Sequence, residues 1–245
     1  MVGLWSPKPI TRVRFLPPVP RLLQNLELLF VMLYIMKIID LTHTFTKDMP
    51  VYPGDPKASL EQVAHIEKDT YNDHKISTLM HVGTHMDAPL HMIANGKTID
   101  ELDPTKFIGD GIVINVQGKQ KIDLSVLEGK KIESGSIVLL YTGYGSKYRS
   151  DSYFEGYPEL SEDFANKMVE LKVKMVGMDM LGPDFDKPWT THKILLGNEI
   201  LILENLTNLD KLLDVDEFEI IALPAKIHSD AAFVRVIALV KDQQD

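Results

Sequence analysis

The chain has 245 residues, of which 44% are hydrophobic, enough for a globular domain with a sizeable core. Its formal charge of −9 and pI near 5.4 argue against a nucleic-acid partner, because no cluster of Lys and Arg is available to displace counterions from a phosphate backbone. The chain has no cysteine, which excludes disulfides and thiolate metal sites, so any metal must be held by nitrogen and oxygen. This composition is consistent with a reducing compartment, and we expect a cytoplasmic protein.

Residues 1–35 differ in composition from the rest of the chain. Three arginines and a proline-rich stretch precede the apolar run "LELLFVMLYIM", an order that resembles a signal peptide. No small-residue cleavage site follows, and the run is interrupted by Lys37 and too short to span a bilayer comfortably, so secretion or membrane anchoring is the weaker alternative. We expect 1–35 to be an extension outside the core fold, or the result of a misplaced start codon. Residues 36–245 are expected to form one domain.

Beyond Met36, apolar runs rich in β-branched residues alternate with helical patterns. Seven runs predict strands: 37–41, 111–116, 136–142, 174–179, 199–204, 218–224 and 233–240. Most are nearly continuous in apolar character, which predicts burial on both faces. Ser161 precedes a segment with Phe164 and Met168 on one face, the pattern of an N-capped amphipathic helix, and shorter helices are expected near 124–129 and 206–213. Interleaved strands and helices predict an α/β domain.

The segment "HVGTHMDAPLH", residues 81–91, concentrates polar residues in a short stretch. Gly83, Thr84 and Pro89 disfavour a helix, so an extended segment bending into a loop is the better interpretation. In an extended chain His85 and Asp87 point the same way, and a turn at Gly83 can bring His81 round to them. Two imidazoles and a carboxylate then face one point, a ligand set suited to Zn²⁺ or Mn²⁺.

Any one of these histidines alone is better explained as a hydrogen-bonded structural residue. The group is harder to explain in that way, because five of the eight histidines of the chain lie between residues 65 and 91. The spacing therefore predicts a metal or catalytic site in this segment. It does not identify the remaining ligands.

"HVGTHMDAPLH" resembles the signature of the cyclase family of metal-dependent hydrolases, which includes bacterial kynurenine formamidases. The similarity extends over most of 36–245, through "IDLTHTFTKDMPVYPGDP" (39–56), "VGMD" (176–179), "THKILLGNEILILENL" (191–206) and "LPAKIHSDAAFVRVIAL" (223–239). The resemblance implies a single α/β domain of the swivelling β/β/α type, with a mixed, barrel-like β core flanked by helices. It also implies a homodimer or homotetramer that acts on a small-molecule substrate. Because the apolar run within 1–35 is too short to span a bilayer comfortably, we expect no membrane partner.

The resemblance also assigns roles to individual residues. It makes His81, His85 and Asp87 metal ligands, with Asp87 able to bridge two ions, and adds His192 and Glu204 as distal ligands. For Glu204 the alternative is a solvated charge at a strand end, and Glu199 is the fallback ligand. His91 is the implied proton-transfer residue, with a hydrogen bond to Asp87 as its alternative role. The expected cofactor is Zn, as one or two ions, with Mn as the second choice.

Three departures from the family pattern bear on the substrate. Tyr52 stands where kynurenine formamidases commonly have tryptophan, and its ring is still flat enough for stacking. Trp189 is a second aromatic residue that could form a wall of the site. "MLGPD" follows Asp179 in place of Pro-Ser, and the pattern near the C-terminus includes Asp230 and Ala231. The implied reaction is hydrolysis of a non-peptide amide, with N-formylkynurenine the leading substrate. Hydrolysis of a cyclic amide such as isatin, a lactone or an ester is the near alternative, and a metal-stabilised protein without turnover is the more distant one.

Overall fold

A computed structural model describes residues 36–241 of the chain. The predicted N-terminal extension, 1–35, lies outside the described residues. The described strands are β1 (Met36–Asp40), β2 (Ser59–Ala64), β3 (Asp73–Ser77), β4 (His85–Asp87), β5 (Ile108–Asn115), β6 (Lys121–Ile122), β7 (Ile137–Tyr141), β8 (Glu159–Leu160), β9 (Met175–Met178), β10 (Leu201–Glu204), β11 (Phe218–Pro224) and β12 (Ala231–Lys241). The described α-helices are α1 (Ile66–Asp69), α2 (Glu162–Leu171) and α3 (Thr190–Gly197).

Seven of the strands close into a barrel-like sheet. The order is β12-β11-β5-β7-β9-β10-β4, and β4 pairs with β12 to complete the ring, while β1 pairs with the far end of β12. The strands from β5 through β7 and β9 to β10 run parallel, and the remaining pairs of the ring are antiparallel. The fold is therefore the mixed α/β barrel that the resemblance implied.

Alternation along the barrel strands separates two hydrophobic clusters. On β7, Ile137 and Leu139 belong to the cluster enclosed by the strands, whereas Val138 and Leu140 belong to the cluster that contains Phe164 of α2. Both faces are buried along β7, β9 and β10, as their continuous apolar runs predict. The same prediction is wrong for β11, whose burial mostly alternates along the strand.

All seven predicted strands are present, and Ser161 caps α2 by accepting a hydrogen bond from the backbone N–H of Phe164. The two shorter predicted helices are single 3-10 turns at Leu124–Leu127 and Leu209–Leu212. The apolar patterns do not predict α3, the β2–β3 hairpin or the short elements α1, β6 and β8. The hairpin was missed because its large apolar side chains are mostly exposed and show no core-facing pattern. Within the described part of the chain, no helix is long and apolar enough to cross a membrane.

Candidate active site

Strand β4 brings the central signature to the end of the barrel. It is only three residues long and is paired on both sides, with His85 opposite Glu204 of β10 and Asp87 opposite Ala231 of β12. Residues two apart on a strand, and residues directly opposite on its neighbour, share a face. His85, Asp87 and Glu204 therefore project to the same side. Gly83, with φ of +72°, supplies the preceding turn in a conformation that favours glycine.

Three of the predicted ligands form a buried cluster. His85 Nε2 lies 3.4 Å from Asp87 Oδ1 and 3.3 Å from Glu204 Oε2, and each of these side chains is at most 8% exposed. Glu204 is therefore buried, and the alternative that it is a solvated charge at a strand end is wrong. The fallback residue, Glu199, lies instead in surface ion pairs with Lys97 and Lys106.

The cluster contains polar atoms that no protein group satisfies. His85 donates a hydrogen bond from Nδ1 to the carbonyl oxygen of Gly83 at 2.8 Å, which leaves Nε2 as the unprotonated nitrogen of the neutral ring. This Nε2 and both carboxylate oxygens of Asp87 are buried without a hydrogen-bond partner. Unsatisfied buried groups of this kind are costly unless a ligand binds them. A nitrogen and two carboxylate oxygens suit a divalent metal ion, so the residues present fit the metal that the family implies.

His192 enters the cluster from the start of α3. Its Nε2 lies 3.4 Å from Glu204 Oε1, and its Nδ1 lies 2.6 Å from Asp184 Oδ2. Asp184 also accepts hydrogen bonds from the backbone N–H groups of Thr191 and His192 at 3.0 and 2.8 Å. The carboxylate therefore fixes both the helix start and the orientation of the ring, with Nε2 directed inward.

His81 and His91 form the more exposed side of the site. His81 Nδ1 lies 3.0 Å from Asp87 Oδ1, and the rings of His81 and His91 are 4.0 Å apart between centroids. Single donor atoms of His81, Asp87 and His91 lie within 4.8 Å of one another, as do those of His85, Asp87 and Glu204. His91 donates its structural hydrogen bond to Asp230, not to Asp87 as the alternative role proposed.

The carboxylates favour positive charge at the centre of the site. Burial opposes charge on His81, but its contacts with Asp230 and Asp87 outweigh this and raise its pKa to about 10. Burial likewise opposes charge on His192, and hydrogen bonds to Asp184 and Glu204 raise its pKa to about 9. Burial lowers the pKa of His91 below its usual value. A bound cation would displace protons from the ligand histidines and occupy the same favourable potential.

A cavity of about 290 Å³ opens above the cluster, and several of its walls are aromatic. Its lining includes the rings of Tyr52, Phe154, Tyr157 and Trp189. Tyr52 is 50% exposed and meets the edge of Phe154, with 6.3 Å between ring centroids. The lining also includes Gly182, where a Cβ atom would lie 2.6 Å from Glu204 Oε1, so the absence of a side chain leaves room for the Glu204 carboxylate.

The structure brings all seven predicted site residues to one place. His81, Asp87, His91, His192, Glu204 and Tyr52 line the cavity, and His85 lies beneath it against Asp87 and Glu204. Sequence reasoning did not assign three further residues to the site: Gly182, Asp184 and Asp230. The first two lie in "MLGPD" and the third in the C-terminal segment, both of which were noted only as departures from the family pattern. Their contacts depend on chain segments far apart in sequence.

The fold and site define the class of protein. Residues 39–185 match the family described as "Putative cyclase", and the chain belongs to this family. It is therefore a cyclase-family hydrolase. A kynurenine formamidase from Bacillus cereus is 32% identical over 203 residues, which cover 81% of this chain and 95% of the relative. An uncharacterized protein from Methanocaldococcus jannaschii is 36% identical over 210 residues, covering 83% of this chain and 100% of the relative.

Solved structures agree with the fold. Isatin hydrolase A from Labrenzia aggregata, bound to benzyl benzoate, superposes with a TM-score of 0.77 at 25% sequence identity, covering 89% of this chain and 99% of that chain. A "predicted metal-dependent hydrolase" from Bacillus stearothermophilus has a TM-score of 0.69 at 26% identity, covering 83% of this chain and 98% of that chain. Cyclase-family relatives thus include proteins described as formamidase, isatin hydrolase and metal-dependent hydrolase.

Proposed function

We propose that this protein is a metal-dependent hydrolase of a non-peptide amide, with N-formylkynurenine as the leading substrate and kynurenine and formate as products. The observation that carries the proposal is the set of unsatisfied buried acceptor atoms, His85 Nε2 and both oxygens of Asp87, beneath a cavity with aromatic walls. The similarity to bacterial kynurenine formamidases supports the substrate.

The ligands would be His81, His85, Asp87, His192 and Glu204, with Asp87 between the two sides of the site. Because all of these donors are nitrogen or carboxylate oxygen, we propose Zn²⁺, as one or two ions, with Mn²⁺ as the second choice. When bound there, a divalent ion supplies Lewis-acid activation of water and of an amide carbonyl.

His91 is the proposed proton carrier. It lines the cavity beside His81 and is 24% exposed, and burial lowers its pKa, which favours the neutral ring that can accept a proton near neutral pH. It accepts a proton from the attacking water and returns it to the nitrogen that leaves when the amide C–N bond breaks. For an N-formyl arylamine, formate and the free amine result. Tyr52, Phe154 and Trp189 offer flat surfaces against which the aryl ring can stack.

One feature of the cavity favours a second candidate, the opening of a neutral cyclic amide or ester. Among the described residues, no lysine or arginine lines the cavity, whereas Asp55 and Asp184 do. The carboxylate of N-formylkynurenine would therefore have no lysine or arginine to bind in the cavity, a difficulty that isatin does not present. The similarity to isatin hydrolase A supports the same alternative.

A hydrolysis assay followed by ultraviolet absorbance distinguishes these substrates. N-formylkynurenine, isatin and an aryl ester are each incubated with the purified protein, with and without a chelator. We expect chelator-sensitive turnover of N-formylkynurenine. Turnover of isatin or the ester alone would retain the hydrolase and contradict the formamidase assignment. Metal-loaded protein inactive on all three would contradict the proposed function.

We also propose a homodimer or homotetramer. The β2–β3 hairpin supports an assembly, because Leu60, Val63 and Ile76 on its strands are 36–54% exposed and an isolated two-stranded hairpin is marginally stable in water. Light scattering coupled to size exclusion tests this. A monomer at micromolar concentration would contradict it.

A further inference from the structure

The strand pairing places Asp230 beside the signature, although the two are far apart in sequence. Ala231 at the start of β12 pairs with Asp87 of β4, and the carbonyl oxygen of Asp230 accepts a hydrogen bond from the backbone N–H of Ala88 at 2.8 Å. These backbone contacts fix where the Asp230 side chain begins. The register of the barrel therefore delivers a carboxylate to the exposed side of the site.

One oxygen of this carboxylate contacts two imidazoles. Asp230 Oδ2 lies 3.0 Å from His81 Nε2 and 3.3 Å from His91 Nδ1. The other oxygen, Oδ1, accepts a hydrogen bond from the hydroxyl of Ser229 at 3.0 Å. Each oxygen thus has its own partners, and Oδ2 is directed at the two histidines.

These contacts determine which nitrogen of each ring is free. A carboxylate accepts hydrogen bonds, and of the two carboxylate contacts of His81 only that with Asp230 has hydrogen-bond geometry, so the neutral ring donates from Nε2. Its Nδ1, 3.0 Å from Asp87 Oδ1, is then the nitrogen at which a metal ion would replace a proton. By the same reasoning His91 donates from Nδ1 and retains Nε2 to accept a proton. His85 and His192 follow the same rule. Each donates from Nδ1, His85 to the carbonyl oxygen of Gly83 and His192 to the carboxylate of Asp184, so that Nε2 is free.

We propose that Asp230 is a positioning residue that fixes His81 as a metal ligand and His91 as a proton acceptor through one shared oxygen. The proposal rests on the proposed function for the role of His91, but its effect on metal binding does not depend on any substrate. Ligand-orienting carboxylates typically change metal affinity or activity 10- to 100-fold when removed.

The test measures metal affinity and turnover separately. Metal-free wild type, Asp230→Ala and Asp230→Asn are titrated with Zn²⁺ and with Mn²⁺, and folding is checked by circular dichroism. Asp100→Ala is the matched control, because Asp100 is a nearby acid that contacts Thr98 and His228 and no histidine of the site. We expect Asp230→Ala to weaken metal binding about 10- to 100-fold, Asp230→Asn to weaken it less because one acceptor oxygen remains, and Asp100→Ala to leave it unchanged.

Turnover is measured at saturating metal in the wild-type and His91→Ala backgrounds, with whichever of the three substrates the protein hydrolyses. We expect Asp230→Ala to lower kcat about 10- to 100-fold in the wild-type background and to have little further effect once His91 is absent. Equal losses in both backgrounds, or unchanged metal affinity in a folded Asp230→Ala protein, would overturn the proposal. If no substrate is hydrolysed, the proposed function fails, and the metal titration alone decides the role of Asp230 toward His81.

Discussion

The site has a buried side, formed by His85 and His192, and an exposed side, formed by His81 and His91. Both sides consist of histidines whose rings are oriented by a hydrogen-bond acceptor, but they differ in solvent exposure. On the buried side, His85 and His192 are 1% and 8% exposed, and Asp184 is held by two backbone N–H groups. On the exposed side, His81 and His91 are 28% and 24% exposed, and Asp230 is 39% exposed. A ligand gains from rigidity and the exclusion of water, whereas a proton carrier must reach the substrate. The contrast fits the proposed function, in which the buried side would hold the metal and the exposed side would also transfer protons.

Removal of a buried ligand should have the largest effect. His85→Ala or Asp87→Ala deletes a donor beneath the cavity, and we expect loss of both metal and activity. Metal content by inductively coupled plasma mass spectrometry measures the first, and the hydrolysis assay measures the second. His74→Ala, an exposed histidine on β3, is the control. Full metal stoichiometry in either variant would contradict the ligand assignment.

Removal of His91 should separate proton transfer from metal binding. We expect His91→Ala to retain metal while kcat falls by about 10²–10⁴, the usual scale for a positioned acid or base. Steady-state kinetics together with metal analysis checks this. Loss of metal would instead assign His91 as a ligand in the group with His81 and Asp87, and the contrast between the two sides would disappear.

The two outer carboxylates should differ in their effect on stability. Asp184→Ala leaves the buried N–H groups of Thr191 and His192 without acceptors, and we expect a loss of about 2–5 kcal/mol in the free energy of unfolding. Asp230→Ala should cost about 1 kcal/mol or less, because this side chain is partly solvated. Urea unfolding in the presence of a chelator compares the two variants without a contribution from metal. Equal losses would show that the two sides are equally structural.

Loss of space on the buried side should weaken metal binding even when every ligand is present. In Gly182→Ala the new Cβ would lie 2.6 Å from Glu204 Oε1 and 3.3 Å from His192 Cε1, so at least one ligand must shift. We expect metal affinity to fall about 10-fold or more. Gly197→Ala is the matched control, because the nearest atom to its Cβ, Ile93 Cδ1, would be 3.5 Å away. Equal affinities in the two variants would show that the ligands tolerate the displacement.

The smallest effect expected at neutral pH lies outside the site, at His43. This ring stacks on Tyr148 at 3.7 Å, and burial together with the charge of Arg149 lowers its pKa to about 4. The unfolded chain takes up a proton at this histidine near pH 6.5, and the folded chain does so only near pH 4. The free energy of unfolding should therefore decrease as pH falls through this window.

His43→Phe retains a stacking ring and removes the titration. We expect its unfolding free energy to depend less steeply on pH between 6.5 and 4, by at most about 1.4 kcal/mol per pH unit. Urea unfolding of both metal-free proteins at several pH values measures the slopes. Identical slopes would show that His43 titrates alike in the folded and unfolded chains.

The sequence determined the class of fold and the residues at the centre of the site. Continuous apolar runs predicted β7, β9 and β10, because burial on both faces leaves no alternation. The motif at 81–91 indicated a metal site from residue types and local spacing, and the resemblance extended it to His192 and Glu204. Helix α3 escaped prediction, although it carries His192, because Asp184 stabilises its start from a preceding loop.

Only the tertiary structure decided which carboxylates contact the histidines of the site. Glu199 and Glu204 bracket the same apolar run, yet one pairs with surface lysines and the other faces His85 across β10 and β4. Asp184 and Asp230 gained their roles in the same way, through a helix start and a strand register that join distant segments. Local spacing specifies which side chains share a face, but contacts between segments arise from sheet closure and packing, which no short motif encodes.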